Sequence, residues 1–199
     1  MATTREFHRR GWCLGTSGNF SAVLAYAPLE LLITGSGLDK GALQAHDFVR
    51  VGADGRLALG QAGRASAETR LHLAVCRQRG AGSVMHTHSL AGTLLGEHFR
   101  EKGGFTLVGY EMLKGLEGIT SHEVEVFVPV LANSQDMEAL SHEVERLLEE
   151  RPEIHGFLLA GHGLYTWGQD LAQARRHVEI LEFLLELTLH RTTLLPFGG

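Results

Sequence analysis

Two histidines separated by one residue carry the strongest chemical signal in this sequence. His86 and His88 close an apolar segment, Ser83–Met85, that has the composition of a short strand. Side chains at positions i and i+2 of a strand point to the same face, so both imidazoles can reach one ion. Imidazole nitrogens bind divalent metals such as zinc at about 2.0–2.1 Å. The spacing indicates a metal site, and two surface histidines on an edge strand are the alternative.

A third histidine stands between two glycines. His162 follows the apolar segment Phe157–Ala160, and its glycine neighbours permit close backbone approach and unusual dihedral angles. We expect its imidazole to join those of His86 and His88. Three histidines would leave a coordination position open, as in catalytic zinc sites. A turn whose histidine faces solvent is the alternative.

One carboxylate precedes the His-X-His strand in a position that could serve the same site. Glu68 lies in the first turn of a predicted helix that opens with Ser66 as its N-cap and stops at Gly80. It is either a fourth ligand or a carboxylate favourable to the helix dipole, and residue chemistry alone leaves both open. His72, one turn further along, is expected on the helix face with no assigned role.

Three segments of small residues at element junctions suit a phosphate group. They are Gly15–Asn19, Thr34–Gly37 and Ser66–Glu68, and Lys40 follows the second closely. Backbone N–H groups of Gly-rich turns, hydroxyls and a helix N-terminus bind phosphate dianions, although ordinary turns share this composition. Neither GxxxxGK[ST] nor a strand–GxGxxG–helix unit is present. The pattern therefore favours a small phosphorylated metabolite over a nucleotide.

Composition limits the class of protein. The 199 residues are 44% hydrophobic and 21% charged, which is typical of a globular chain, and the length predicts a single domain over 1–199. A net charge of −5 without a Lys/Arg run argues against nucleic acid as a partner. No apolar stretch reaches the roughly 18 residues of a membrane span, and the N-terminus lacks a secretory core, so we expect a cytoplasmic protein. Cys13 and Cys76 have no ligand spacing and are interpreted as reduced thiols.

Strand-like and helix-like patterns alternate along the chain. The predicted strands are Asn19–Ala25, Leu31–Thr34, Phe48–Val51, Ser83–His88, Val124–Leu131 and Phe157–Ala160. The predicted helices are Ser66–Arg79, Met137–Glu150 and a long C-terminal helix that Asp170 caps. This order predicts an α/β fold of three layers, α/β/α, around a mixed or largely antiparallel sheet.

Taken together, the motifs resemble those of the class II aldolase/adducin family. The matching segments occur in the family's order and are Ser17–Ser21, Thr34–Gly37, Ser66–Glu68, His86–Ser89 and Gly161–Gly163. The resemblance covers about residues 10 to 188. Two further segments, Glu111–Gly115 and Gly161–Gly168, are more specific and look like those of a dehydratase branch that acts on a phosphorylated ketose.

The resemblance implies a class II aldolase-like fold, one zinc ion per subunit, and a homotetramer with active sites at subunit contacts. By motif, His86, His88 and His162 become the zinc ligands, and Glu111 becomes the catalytic acid/base. The residues expected to contact the substrate phosphate are Asn19, Ser36, Gly37 and Ser66.

Two other functions remain on the same fold. A zinc-dependent sugar-phosphate aldolase or epimerase would use Glu68 as ligand and base, but Ala67 stands where aldolases often have Ser. A non-catalytic scaffold such as the adducin head domain resembles the fold while lacking the metal residues, and the three histidines argue against it.

Overall fold

A computed structural model describes residues 1–194, in which helices cover both faces of one eight-stranded sheet. The strands are β1 (Asn19–Tyr26), β2 (Leu29–Thr34), β3 (Phe48–Gly52), β4 (Ser83–Thr87), β5 (Gly104–Leu107), β6 (Val126–Leu131), β7 (Gly156–Leu159) and β8 (Gly163–Gly168). The helices are α1 (Ala2–Arg9), α2 (Thr69–Arg79), α3 (Leu90–His98), α4 (Met137–Glu150) and α5 (Leu171–Leu194), with short 3₁₀ segments at Ala45–Asp47 and Glu111–Gly115.

The sheet is mixed and largely antiparallel, which confirms the prediction. Its strand order is β3-β2-β1-β4-β8-β7-β6-β5. Strands β6 and β7 pair in parallel, and the other neighbours pair antiparallel. The two central strands, β4 and β8, are those that adjoin the predicted metal-binding histidines.

Side-chain alternation along the strands gives each face of the sheet its own hydrophobic packing. On β8, Tyr165 belongs to the core beneath α2 and α4, whereas Leu164 belongs to the core beneath α3 and α5. Neighbouring residues of a strand point to opposite faces, so a single strand supplies both layers. Each fully buried aliphatic or aromatic side chain contributes about 1.5–3 kcal/mol through removal from water. The predicted three-layer α/β/α arrangement is confirmed.

The helix before the His-X-His strand starts later than its sequence indicates. We expected Ser66 to be its N-cap, but α2 begins at Thr69 with Glu68 in the N-cap position. The Ser66 hydroxyl instead accepts the backbone N–H of Glu68, and its carbonyl accepts the N–H of Thr69, which makes a turn ahead of the helix. The end of the helix is as predicted, because Gly80 has a left-handed φ of 58°.

Several short elements were missing from the prediction. Strand β8, which follows directly on the glycine-flanked His162, was not among the predicted strands. Helix α3 contains Gly92 and Gly96, which obscure its helical pattern, although Ser89 caps it by accepting the N–H of Gly92. Asp170 accepts the N–H of Gln173 at the start of α5, as predicted.

The predicted domain extends to residue 199, and 195–199 lie outside the described residues. None of the helices within 1–194 combines the length and the apolar character that crossing a membrane requires. Cys13 and Cys76 are buried free thiols, as expected.

Candidate metal centre

Antiparallel pairing brings distant segments to one edge of the sheet. Asn19 at the start of β1 lies opposite His86 near the end of β4, and His86 in turn lies opposite Tyr165 on β8. His162 occupies the turn between β7 and β8, where its N–H donates to the carbonyl of Leu159. Strand parity turns His86 toward the face that α2 covers, where Glu68 stands.

Four side chains converge at this edge: Glu68, His86, His88 and His162. One possible ligand atom from each lies within 4.8 Å of all the others. The Nε2 atom of His86 is 2.7 Å from Nε2 of His88 and 3.3 Å from Nε2 of His162. Oε1 of Glu68 lies 3.4 Å from Nε2 of His86 and 3.1 Å from Nε2 of His162. The structure thus brings the three predicted histidines together and adds Glu68 to them.

The surroundings of His86 orient its imidazole for coordination. Its Nδ1–H donates to the carbonyl of Leu164 at 2.9 Å, which leaves a lone pair on Nε2 facing the cluster. This is the arrangement of many metal-binding histidines, whose second nitrogen is held by a carbonyl or carboxylate. The His88 backbone is held separately, because its N–H donates to the carbonyl of Trp12 at 2.7 Å.

The protonation states also suit a cation. Burial lowers the pKa of His86 and lowers that of His88 to about 3, so both imidazoles are neutral at neutral pH. Burial of Glu68 opposes its ionisation, but His162 and His86 outweigh burial and hold the pKa of Glu68 well below its usual range. Neutral imidazoles and an ionised carboxylate are the forms that bind metal.

The donor set fits a divalent ion. The cluster collects imidazole lone pairs and a carboxylate at distances where acceptors would repel one another without a cation between them. Three imidazoles and one carboxylate are ligands that zinc accepts, and iron, cobalt and manganese accept them too. These four residues can therefore hold a metal ion, and the donor set does not by itself select zinc.

Two glycines allow the strands to approach at the site. A Cβ on Gly163 would clash with the carbonyl oxygen of Thr87, and one on Gly18 would lie 2.8 Å from the carbonyl oxygen of His86. Gly18 also has a φ of 74°, a backbone conformation that other residues rarely adopt. Any larger side chain at either position would push a neighbouring strand away from β4.

The loops expected to bind phosphate lie around the same edge. Lys40 is buried and joins the Gly15–Asn19 loop to the residue that follows Thr34–Gly37, because its ammonium donates to the carbonyl of Thr16 at 2.8 Å and to that of Leu38 at 2.6 Å. The N–H of Ser36 donates to the carbonyl of Arg64 at 2.9 Å, which holds the Thr34–Gly37 turn beside the loop leading to Ser66.

The residues expected to contact the phosphate differ in their exposure to solvent. Gly37 is exposed, while Ser36 and Ser66 are half-buried. The Ser66 hydroxyl lies 3.5 Å from Oε2 of Glu68, which places it beside the metal centre. The side-chain amide of Asn19 is buried and contacts Glu68 and His72.

Glu111 is not part of the cluster in this chain. It opens the 3₁₀ segment Glu111–Gly115, and its side chain is 67% exposed. Its carboxylate pairs with Nζ of Lys114 at 2.6 Å and with Nδ1 of His122 at 3.2 Å. The hydrogen bond from Lys114 and its charge lower the pKa of Glu111, so the carboxyl group is ionised.

His72 is buried beside the cluster more deeply than we predicted from the sequence. It was expected on the helix face, yet it is fully buried and contacts Asn19 directly. The signal was available in the sequence: His72 follows Glu68 by four residues, and residues at i and i+4 of a helix share one face.

Comparison with known proteins agrees with the fold. Residues 1–189 match the family described as "Class II Aldolase and Adducin N-terminal domain". The chain therefore belongs to the class II aldolase and adducin family.

Individual proteins similar to this chain give a more specific comparison than the family match. The chain is 46% identical over 187 residues to a methylthioribulose-1-phosphate dehydratase of Sorangium cellulosum, covering 94% of this chain and 87% of the relative. It is 44% identical over 190 residues to a protein of the same name from Xanthomonas euvesicatoria, covering 95% and 86%. Among solved structures, an L-fuculose-1-phosphate aldolase from Thermus thermophilus superposes with a TM-score of 0.76 at 25% identity, covering 100% of this chain and 95% of that one.

Proposed function

We propose that this chain is a zinc-dependent dehydratase that converts 5-methylthioribulose 1-phosphate into 2,3-diketo-5-methylthiopentyl 1-phosphate, a step of methionine salvage. The observation that carries the proposal is the convergence of His86, His88, His162 and Glu68 at one sheet edge. The 46% identity to a relative bearing the dehydratase name supports this choice of reaction. We further propose that residues 1–199 act as one domain.

The reaction is an elimination without redox change. The C3 proton and the C4 hydroxyl leave as one water, and the resulting enol ketonises to the 2,3-diketone. A divalent ion held by the four residues supplies Lewis-acid polarisation of the ketose oxygens. The chain's part is to hold the ketose in one orientation and to move the protons, because expulsion of hydroxide is slow without a proton donor.

The phosphate group anchors the substrate at a distance from the reacting carbons. We assign this contact to the Ser36 and Ser66 hydroxyls, the backbone N–H of Gly37 and the amide of Asn19. The Asn19 amide has two N–H bonds, and one of them faces Glu68. Binding energy from the phosphate would hold the C2–C4 segment in place during elimination.

Glu111 is the acid/base in this proposal, and its position requires a second subunit. Its exposed carboxylate makes no contact with the four-residue cluster of its own chain. In a homotetramer with active sites at subunit contacts, Glu111 would reach the site of a neighbouring copy. The ion pair with Lys114 would then break or shift as the carboxyl group takes up a proton.

A second candidate is a zinc-dependent sugar-phosphate aldolase or epimerase. The position of Glu68 favours it, because a carboxylate 3.1 Å from His162 could serve as ligand and base in such a reaction. That enzyme would break the C3–C4 bond of the ketose and leave the C4 oxygen in place.

Product analysis distinguishes the two candidates. The purified zinc-loaded protein is incubated with 5-methylthioribulose 1-phosphate, and the products are followed by NMR and mass spectrometry. A diketone lighter than the substrate by one water is expected. Two smaller fragments would establish the aldolase, and an isomer of unchanged mass would establish the epimerase.

A further inference from the structure

Behind Glu68, three buried polar side chains form a continuous chain, and the proposed reaction uses only the Asn19 amide among them. The Asn19 amide contacts Oε2 of Glu68 through Nδ2 and contacts Nε2 of His72 through Oδ1. Nδ1 of His72 lies 2.7 Å from the hydroxyl oxygen of Ser21. His72 is 0% exposed, and Asn19 and Ser21 are 4% and 2% exposed. Side chains this deeply buried retain polar groups only at a cost in desolvation.

One arrangement of protons satisfies the whole chain. An ionised Glu68 has no proton to donate, so the Asn19 amide must present its N–H to Oε2 and its carbonyl oxygen to His72. His72 must therefore carry its proton on Nε2, and its Nδ1 accepts the Ser21 hydroxyl. Burial lowers the pKa of His72 to about 3, so the ring stays neutral and keeps this tautomer. Turning the amide over would oppose two acceptors at Glu68 and two donors at His72.

We propose that His72 is a positioning residue for the metal centre: it fixes the amide of Asn19, which in turn holds Oε2 of Glu68 and leaves Oε1 turned toward the histidines. The distances support this division of the carboxylate, since Oε1 lies 3.1 Å from Nε2 of His162 and 3.4 Å from that of His86. This role for His72 depends on one part of the proposed function, namely that the four-residue cluster binds a divalent ion.

A purely structural histidine would behave differently. His177 offers the comparison: it is also buried, its Nδ1 lies 2.7 Å from the carbonyl of Trp167, and its Nε2 accepts the N–H of Glu117. Trp167 lies near the end of β8 that is remote from His162, away from the cluster. Loss of its hydrogen bonds should lower the free energy of unfolding without changing metal affinity.

The test measures the affinity of the full-length apoprotein for Zn²⁺ by competition with a chromophoric chelator. His72→Leu removes the donor to Asn19, and His72→Gln supplies an amide N–H near the position of Nε2. We expect His72→Leu to lose tenfold to about a hundredfold in affinity, as for other residues that orient metal ligands. His72→Gln should regain most of the loss, and His177→Leu should bind Zn²⁺ like the unaltered protein.

Other outcomes overturn the proposal. Unchanged affinity in folded His72→Leu means that Glu68 does not depend on His72. An equal loss in His177→Leu means that the effect is general destabilisation. If His72→Leu does not fold, Asn19→Ala tests the same chain, and full Zn²⁺ affinity in that variant refutes it. Because the readout is metal affinity, a protein that binds Zn²⁺ in the expected pattern but does not dehydrate the ketose contradicts the proposed reaction and leaves the role of His72 standing.

Discussion

The imidazole of His86 stacks on the ring of Tyr165, its direct partner across the sheet, with ring centroids 3.9 Å apart and an angle of 12° between the planes. Tyr165 in turn stacks on Phe157 with centroids 5.1 Å apart. The central histidine of the four-residue cluster thus packs against a column of two aromatic rings, Tyr165 of β8 and Phe157 of β7. A hydrogen bond to a carbonyl and a ring beneath it together leave the imidazole little freedom to rotate.

Removal of this ring should weaken metal binding. We expect Tyr165→Leu to lower the free energy of unfolding by about 2–4 kcal/mol, because it leaves a cavity in the core. The variant should also lower Zn²⁺ affinity, since the His86 ring gains freedom. Tyr165→Phe keeps the ring and is the matched control. Denaturant titration and chelator competition measure the two effects, and equal Zn²⁺ affinity in the Leu and Phe variants would contradict the role of stacking.

Metal removal should lower stability as well as activity. An ion bound to the folded state alone stabilises it by about 2.7 kcal/mol at a free concentration one hundred times the dissociation constant. Dialysis against a chelator should therefore lower the melting temperature, and added Zn²⁺ should restore it. In His86→Ala and His88→Ala the melting temperature should not respond to Zn²⁺. The exposed His142→Ala is the control and should respond like the unaltered chain.

Glu111 should matter for turnover and not for metal binding. Glu111→Gln removes a proton-transfer group, and such groups typically contribute 10²–10⁴-fold to the rate, so we expect a loss of about that size. Zinc content, measured by elemental analysis, should be unchanged. The exposed Glu123→Gln is a control of the same chemistry. If Glu111→Gln turns over normally while Glu68→Gln is inactive, the acid/base role belongs to Glu68.

Mixed oligomers test whether Glu111 acts across a subunit contact. Subunits with Glu111→Gln keep the metal ligands, and subunits with His86→Ala keep Glu111. When the two inactive variants are unfolded together and refolded, some sites would combine an intact metal centre with an intact Glu111 from a neighbour. We expect activity to return in the mixture. Persistent inactivity, with mixed oligomers demonstrated by mass spectrometry, would place Glu111 in the site of its own chain.

A buried carboxyl on the other face of β4 should make stability depend on pH. Glu182 of α5 contacts the hydroxyl of Thr87, the residue between the two histidines. Burial raises the pKa of Glu182 to about 7; hydrogen bonds from Ser89 and Thr87 oppose this, and the nearby Glu186 adds to it. The folded chain therefore retains a proton that the unfolded chain releases above its ordinary pKa of 4.5. The free energy of unfolding should fall as the pH rises between these values.

Glu182→Gln should remove this dependence. The shift corresponds to a loss of about 3 kcal/mol between pH values of about 5 and about 8. Denaturant unfolding of the apoprotein at both pH values measures it, with Glu149→Gln on the exposed face of α4 as the control. Parallel pH profiles for the unaltered chain and the Glu182→Gln variant would show that Glu182 ionises freely in the folded state.

Local patterns in the sequence predicted much of the fold. The apolar segment that ends in His-X-His predicted a strand over Ser83–His88, and the structure has this strand as β4, which ends one residue earlier at Thr87. Gly80 and Asp170 marked a helix end and a helix start, because capping depends on residues that adjoin the helix. Strand β8 was missed because glycines beside His162 resemble a loop when the neighbouring strand is not known.

The candidate site was also predictable only in part from the sequence. The types and spacing of His86 and His88 follow from the sequence alone, since a strand fixes their relative direction. The burial of His72 and the exposure of Glu111 do not, because each depends on which elements pack over the residue. Ser66 shows the limit of a local rule: its hydroxyl accepts the N–H of Glu68 in a turn, so the helix begins three residues later.

By itself the sequence determined the layered α/β class and the residues able to bind a metal, because periodicity, caps and side-chain chemistry act over a few neighbouring positions. Only the tertiary structure decided that His162 meets His86 and that Glu68 joins them. Those contacts depend on the register of β1 and β8 against β4, which is set by the packing of both cores and by close approach at Gly18 and Gly163.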